Sequence, residues 1–218
     1  MSVDNVVLKS VIGYRKLSGG RISMDEIFEK KQEIRQGITS SLEAFSKEER
    51  AEKTRGIENR VFEFANFLEA KVVLLYMASK NEVRTEGIFR RCFDYNKIVV
   101  LPAFEITRYK IKLYKIDNPA VDIILGPRQI PEPNPERCKL VPMDCLDIAL
   151  IPAVALDEKG GRIGSGEGYY DRFIPKLPIT TRKVALAFEE QILPQVPMES
   201  HDKHVDIIIT EKRIIYKI

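Results

Sequence analysis

Apolar residues along this chain follow two periods, and each change of period predicts a change of element. Ile27, Lys31, Ile34 and Ile38 recur at helical spacing, with Phe28 and Arg35 beside them. Ser23-Met24-Asp25-Glu26 precedes them as a capping box. Ser46-Lys47-Glu48-Glu49 is a second one, after which Thr54, Ile57, Val61, Phe64 and Leu68 predict one long helix. Val72 to Met77, Ile98 to Leu101 and Ile148 to Ile151 are short continuous apolar runs, the pattern of strands buried on both faces. A short helix is predicted near Glu86 to Phe93. Arg108 to Ile116 alternates, with Ile111 and Leu113 on one face and Lys110 and Lys112 on the other, as a half-exposed strand does. Pro127, Pro131, Pro133 and Pro135 predict a stiff loop. A helix start at Gly168 to Phe173, strands at Val184 to Ala187 and Ile207 to Ile209, and a closing hairpin through Arg213 to Ile218 complete the pattern.

Buried strands alternating with helices imply an α/β domain with a largely parallel sheet. Ligands in such sheets bind beyond the carboxyl ends of the strands. Three loops follow buried strands: Ser79 to Thr85, Ala153 to Gly168, and Phe188 to Asp202. If they share one edge, they form one site. Residues 1–22 read as an N-terminal extension and residues 23–218 as a single domain.

Composition narrows the function. The 218 residues are 44% hydrophobic and 31% charged, a globular composition. Net charge is +3, from 35 basic and 32 acidic residues, too balanced to favour nucleic acid or membrane as the main partner. The longest apolar runs are too short to span a bilayer, and no signal peptide is evident. Cys92, Cys138 and Cys145 have no metal-binding spacing, which predicts reduced thiols in a cytoplasmic protein.

The densest chemistry lies in Gly160-Gly161-Arg162-Ile163-Gly164-Ser165-Gly166-Glu167-Gly168-Tyr169-Tyr170-Asp171, where five glycines fall within nine residues. Such clustering costs backbone entropy unless the chain needs positive φ or a close approach to a ligand. Small residues opening a helix leave backbone N–H groups unpaired, and that suits phosphate. Arg162 adds a forked cation, and Asp171 is a candidate ligand for a metal ion that phosphates need. The loop is not a Walker A motif, because Glu167 follows Gly166 where Lys is required. Nor is it a dinucleotide fingerprint, because Tyr169 stands where the third Gly belongs. On the first helix Lys31 and Arg35 are i,i+4 and share one side. Spacing alone favours cations bordering a buried face over cations aimed into a cleft.

Taken in order, Lys31-x-x-x-Arg35, Glu82-x-x-Thr85, Arg162-Ile163-Gly164-x-Gly166-x-Gly168-Tyr169-Tyr170-Asp171, and Ala187-Phe188-x-x-Gln191 with Pro197 and Asp202 resemble the 5-formyltetrahydrofolate cyclo-ligase family, from about residue 27 to 211. The resemblance implies a three-layer, Rossmann-like α/β fold, similar to sugar-phosphate isomerase and CoA-transferase domains. It implies ATP- and Mg²⁺-dependent conversion of 5-formyltetrahydrofolate to 5,10-methenyltetrahydrofolate, with ADP and phosphate released. It assigns Lys31, Arg162 and Tyr169 to catalysis, and Lys31, Arg35 and residues Arg162, Ile163, Gly164, Ser165, Gly166, Glu167, Gly168, Tyr169 and Tyr170 to the nucleotide. Met77, Glu82 and Tyr169 fall to the folate, and Asp171 and Asp202 to the metal. The implied partners are reduced folate and ATP, with the chain a monomer or weak homodimer. Many relatives carry Lys or Gly where this chain has Glu167. Ser165 and Leu156 also depart from the usual pattern. These departures keep open an ATP-dependent ligase for another formyl-bearing, modified pterin substrate, or a nucleotide-binding relative without turnover.

Overall fold

The computed structural model describes residues 24–80 and 82–217. The proposed extension at 1–22, and Ser23 of the first capping box, lie outside them. The first helix, α1 (Met24–Glu43), carries two acids in its first turn, where the helix dipole favours them. Helix α2 (Lys47–Glu63) starts at Ser46, whose side chain accepts a hydrogen bond from the Glu49 N–H. The predicted long helix does not run on through Leu68. Phe64 adopts extended backbone and turns inward, and a separate short helix, α3 (Ala65–Glu69), follows. The break buries both Phe64 and Phe67, which a straight helix keeping Leu68 on its apolar stripe would not do; Leu68 is exposed. Lys97 supports this corner by donating to the carbonyls of Phe67, Leu68 and Ala70.

Strand β1 (Val72–Leu74) leads through the Ser79–Thr85 loop into α4 (Glu86–Asp94) and then β2 (Ile98–Glu105). A left-handed turn residue, Tyr109, hands β2 to its antiparallel partner β3 (Lys110–Ile116). The alternation expected for that strand is present, with Ile111 and Leu113 buried and Lys110 and Lys112 exposed. A single helical turn, α5 (Pro119–Asp122), comes next. The proline-rich stretch is more than a loop: β4 (Ile123–Leu125) pairs with β5 (Pro131–Pro133) as a small antiparallel hairpin. The prolines sit at this two-stranded edge, where a missing N–H does little harm.

Strand β6 (Ile148–Ile151) is buried throughout. The segment after it is also more ordered than a loop. Strands β7 (Ala155–Asp157) and β8 (Arg162–Ile163) fold back on each other before the glycines. Their turn is held by Asp157, which accepts from the N–H groups of Lys159, Gly161 and Val196. Helix α6 (Tyr169–Phe173), β9 (Arg182–Leu186), β10 (Ile192–Leu193), β11 (Ile207–Ile209) and β12 (Ile214–Tyr216) finish the chain.

The main sheet has seven strands in the order β12-β11-β9-β6-β1-β2-β3. Strands β11, β9, β6, β1 and β2 are parallel, and the two edges are antiparallel. Period-two alternation divides the core by face. Val73, Val99, Leu150, Val184 and Ile209 pack with residues of α1 to α4, whereas Leu74, Val100, Ala149, Ala185 and Ile208 pack with Tyr169, Tyr170, Phe173 and Leu177. These are the two cores of a three-layer α/β domain. After β1 the chain builds toward β2 and β3; after β6 it builds toward β9 and β11. The strand order therefore reverses between β1 and β6, and a crevice opens at their carboxyl ends. Among the described residues no helix is long and apolar enough to cross a membrane.

Candidate active site

A cavity of about 630 Å³ lies at that crevice. Residues from all three predicted loops line it: Ser79 and Glu82, Arg162 to Asp171, and Glu199 to Asp202. Helix α1 crosses its mouth with Phe28, Lys31, Gln32 and Arg35. The two cations are thus aimed into a cleft, against the expectation from spacing alone, because the groups that hold them, two acids for Lys31 and the Gly164 carbonyl for Arg35, lie on distant segments. Lys31 is buried, and its Nζ donates to Glu199 Oε2 at 2.6 Å and Asp202 Oδ2 at 2.5 Å. Arg35 Nε donates to the Gly164 carbonyl at 2.9 Å, fixing the helix to the glycine loop. Burial lowers the Arg35 pKa, and the charges of Asp202 and Asp171 act to raise it again.

The glycine loop runs from β8 to α6. Gly166 and Gly168 have φ of 110° and 69°, conformations that only glycine adopts without strain. Among the described residues, none supplies a hydrogen-bond acceptor to the N–H groups of Ser165, Gly166, Glu167 or Gly168. Arg162 does not extend freely toward this space. It is 3% exposed; Nη1 donates to the Pro152 carbonyl at 3.1 Å and Nη2 to Asp171 Oδ1 at 2.7 Å. Its Nε is buried without a partner among the described residues, as is the hydroxyl of Tyr170. Burial pushes the Tyr170 phenol far above its usual range, so it stays protonated and a donor at neutral pH.

The carboxylates fall into two sets. Asp202 lies with Glu199 and His201, their ligand atoms all within 4.8 Å of one another. Asp171 is outside that group, held by Arg162, but its Oδ1 also accepts from the N–H of Lys203, the residue after Asp202. Hard oxygen donors of this kind suit Mg²⁺, which takes one or two carboxylates and completes its shell with phosphate and water.

The opposite wall is apolar and aromatic. Met77, Pro102, Phe104, Ile130, Pro131 and Tyr169 line it. Phe104 meets the Tyr169 ring edge-on at 5.0 Å. Glu82 sits at its end, 9% exposed, with Oε2 accepting from the Ser79 N–H at 2.8 Å. Burial pushes the Glu82 carboxyl above the ordinary range, and the Ser79 hydrogen bonds, Arg128 and Arg162 only partly offset this. Tyr76, whose hydroxyl donates to the Val83 carbonyl, and Thr85, whose hydroxyl donates to the Tyr76 carbonyl, pin the loop that carries Glu82.

Every residue assigned from sequence lines this cavity: Lys31, Arg35, Met77, Glu82, residues 162 to 171 and Asp202. Sequence reading missed Arg128, Phe104, Tyr76, Glu199 and His201. Arg128 explains the odd carboxylate in the glycine loop: Glu167 forms an ion pair with it. No motif marks Arg128, which arrives on the β4–β5 turn. Glu199 and His201, however, neighbour Asp202 and were open to the same reasoning.

A loop with unpaired amides, paired cations and carboxylates thus meet at the switch point of an open sheet, where α/β domains of this class bind their ligands. Residues 27–211 match the model of the 5-formyltetrahydrofolate cyclo-ligase family. The chain is 31% identical over 202 residues to a Caenorhabditis elegans protein named as a probable 5-formyltetrahydrofolate cyclo-ligase, covering 88% of this chain and 98% of that one. It is 27% identical to the 5-formyltetrahydrofolate cyclo-ligase of Mus musculus, covering 83% of this chain and 93% of that one. The NMR structure of Aquifex aeolicus 5,10-methenyltetrahydrofolate synthetase superposes with a TM-score of 0.76 at 28% identity, covering 86% of this chain and 92% of that one. The chain belongs to the 5-formyltetrahydrofolate cyclo-ligase family of enzymes.

Proposed function

We propose that this protein uses ATP to convert 5-formyltetrahydrofolate to 5,10-methenyltetrahydrofolate, releasing ADP and phosphate. The observation that carries the reading is one cavity with two chemically distinct walls: Lys31, Arg35 and the unpaired loop amides on one side, Met77, Glu82, Phe104 and Tyr169 on the other. The first wall fits a triphosphate and the second a flat, hydrogen-bonding heterocycle. Reduced folate and ATP are the partners this assigns, in the cytoplasm.

A formamide oxygen is a poor leaving group. Transfer of the γ-phosphoryl group to that oxygen makes it a good one, with ADP departing. N10 then attacks the formyl carbon, the C–O bond breaks to release phosphate with its electron pair, and the N10 proton goes to solvent. The residues mainly position and neutralise, as phosphoryl transfer requires. Lys31 and Arg35 offset charge on the phosphates, and the N–H groups of Ser165 to Gly168 seat them. Arg162 anchors the loop from beneath, through Pro152 and Asp171. Glu82 accepts hydrogen bonds from the pterin ring, while Met77 and Tyr169 pack against it. Asp202 with Glu199, and Asp171 beside them, would hold Mg²⁺, which supplies charge neutralisation for the phosphates when bound.

Glu167 was the main ground for a different carrier or a loss of turnover. Its engagement by Arg128 removes the conflict between a carboxylate and a phosphate loop. The test is direct. Purified protein with Mg-ATP and 5-formyltetrahydrofolate is expected to develop the near-ultraviolet absorbance of the methenyl product. ATP binding without that absorbance overturns the reading.

A further inference from the structure

Arg128 stands on the aromatic wall, not the phosphate wall. It projects from a tight turn between β4 and β5, closed by Gly126 N–H to the Ile130 carbonyl at 2.8 Å and Gln129 N–H to the Gly126 carbonyl at 3.0 Å. Its guanidinium lies 4.3 Å from the Phe104 ring centroid and 5.2 Å from that of Tyr169. Glu82 and Glu132 both feel its charge. Each gives its Oε2 to a backbone N–H, that of Ser79 and Phe104 respectively, so neither stands as Arg128's direct partner. The carboxylate that touches it is Glu167, reaching across from the glycine loop. Both side chains keep contact with solvent, at 21% and 46% exposure.

A guanidinium stacked on aromatic rings at a pocket mouth, already holding a carboxylate, is a carboxylate receptor with an internal occupant. The triphosphate is accounted for by Lys31, Arg35 and the loop amides in the proposed reading. The ligand on this wall, in the cyclo-ligase reading on which this inference rests, is an arene extended by a glutamate. We propose that Arg128 is the specificity-determining residue for the carboxylate tail of the folate substrate, and that Glu167 competes with that tail for it. The arene of the tail packs along Phe104 and Tyr169, and its carboxylate takes the place of the Glu167 side chain.

Competition predicts opposite signs for the two partners, which a merely structural ion pair does not. Steady-state kinetics on Arg128→Gln and Glu167→Gln, with 5-formyltetrahydrofolate and with the carboxylate-free 5-formyltetrahydropteroyl amide, separate the cases. Arg128→Gln is expected to raise KM for the glutamate-bearing substrate about tenfold, the loss of one charge-assisted contact. Glu167→Gln is expected to lower it about two- to fivefold, the range of a partly exposed pair. The double variant should match Arg128→Gln alone. KM for the carboxylate-free substrate should stay within about twofold in every variant, and KM for ATP within about twofold in Arg128→Gln, since neither ligand places a carboxylate on that guanidinium. Equal-signed shifts, an equal shift for the carboxylate-free substrate, or an Arg128→Gln shift that falls on ATP instead overturns the proposal while leaving the cyclo-ligase reading in place. Wild-type protein that forms no methenyl product overturns both. Thermal melts of the variants, expected close to wild type because both positions are partly solvated, exclude misfolding as the cause.

Discussion

Arg162 Nη2 lies 2.7 Å from Asp171 Oδ1 beneath the glycine loop, and the pair is nearly closed to water, at 2% and 18% side-chain exposure. Helix α6 is thereby tied to strand β8 across the loop that connects them. The arginine that sequence alone presents as a phosphate-facing fork is an anchor first, with its Nε buried.

Removing that anchor should damage the fold as well as the site. Breaking a buried pair strands the remaining charge, at a cost of about 3–5 kcal/mol. Arg162→Ala is expected to lower the melting temperature strongly and to abolish turnover. Arg162→Lys should recover part of the stability but little activity, because an ammonium cannot reach Pro152 and Asp171 together with fork geometry. Thermal melts alongside methenyl formation check this; an Arg162→Ala variant as stable as wild type would show that the anchor is dispensable.

Lys31 occupies the centre of the carboxylate set, with Glu199 and Asp202 on its ammonium. Lys31→Met keeps the stem but leaves two acids side by side, so the melting temperature should drop without metal. Millimolar Mg²⁺ should then recover more stability in the variant than it adds to wild type, because the cation replaces the lost ammonium. Thermal shift with and without Mg²⁺ reads the difference. Equal metal shifts in the two proteins would exclude this set as the metal position.

The Glu82 carboxyl has a raised pKa, chiefly because it is buried. A raised acid binds its proton more tightly in the folded state than in the unfolded one. Its favourable contribution is therefore present below the unfolded pKa and lost as pH rises through the folded pKa. At pH 7, above the unfolded pKa, the raised folded pKa weighs against the fold, so Glu82→Gln should melt higher than wild type there. The gap should close as pH falls below about 4, where an unfolded glutamate is itself protonated. Folate binding should move the other way at pH 7, with Glu82→Gln binding more weakly. Melting curves from pH 3 to 8 decide it; a gap that widens in acid contradicts the assignment.

Much of this site was legible because its chemistry is local in sequence. Gly164 to Asp171 are contiguous, and Lys31 and Arg35 share one helical face, so spacing alone groups them. The buried strands were equally plain, since each is a short apolar run. What spacing does not carry is pairing between distant segments. Lys31 reads as a border cation until Glu199 and Asp202, 168 and 171 positions away, come to meet it. Glu167 looks like a defect until the β4–β5 turn brings Arg128. The same limit hid the break at Phe64, where burying two phenylalanines outweighs the continuity of one helix.

The glycines allow a graded test of the loop. A methyl added at Gly164 would lie 2.7 Å from Arg162 Nη1, a group already fixed by Pro152 and Asp171 and unable to retreat. Gly164→Ala should therefore resemble loss of the anchor, lowering both stability and turnover. A methyl at Gly166 meets nothing closer than Arg35 Cζ at 3.7 Å, but its φ of 110° strains any residue with a Cβ. Left-handed backbone at a non-glycine residue costs about 1–2 kcal/mol, so Gly166→Ala should keep its fold and raise KM for ATP as the loop shifts away from its amide-presenting shape. A methyl added at Gly37, in α1, meets nothing within 4 Å among the described residues. Gly37→Ala should stabilise by about 0.5–1 kcal/mol through helix propensity alone and leave kinetics unchanged. Melts and ATP titrations on the three variants separate steric, backbone and propensity effects. A Gly166→Ala variant with wild-type ATP kinetics would show that the loop amides do not seat the phosphates.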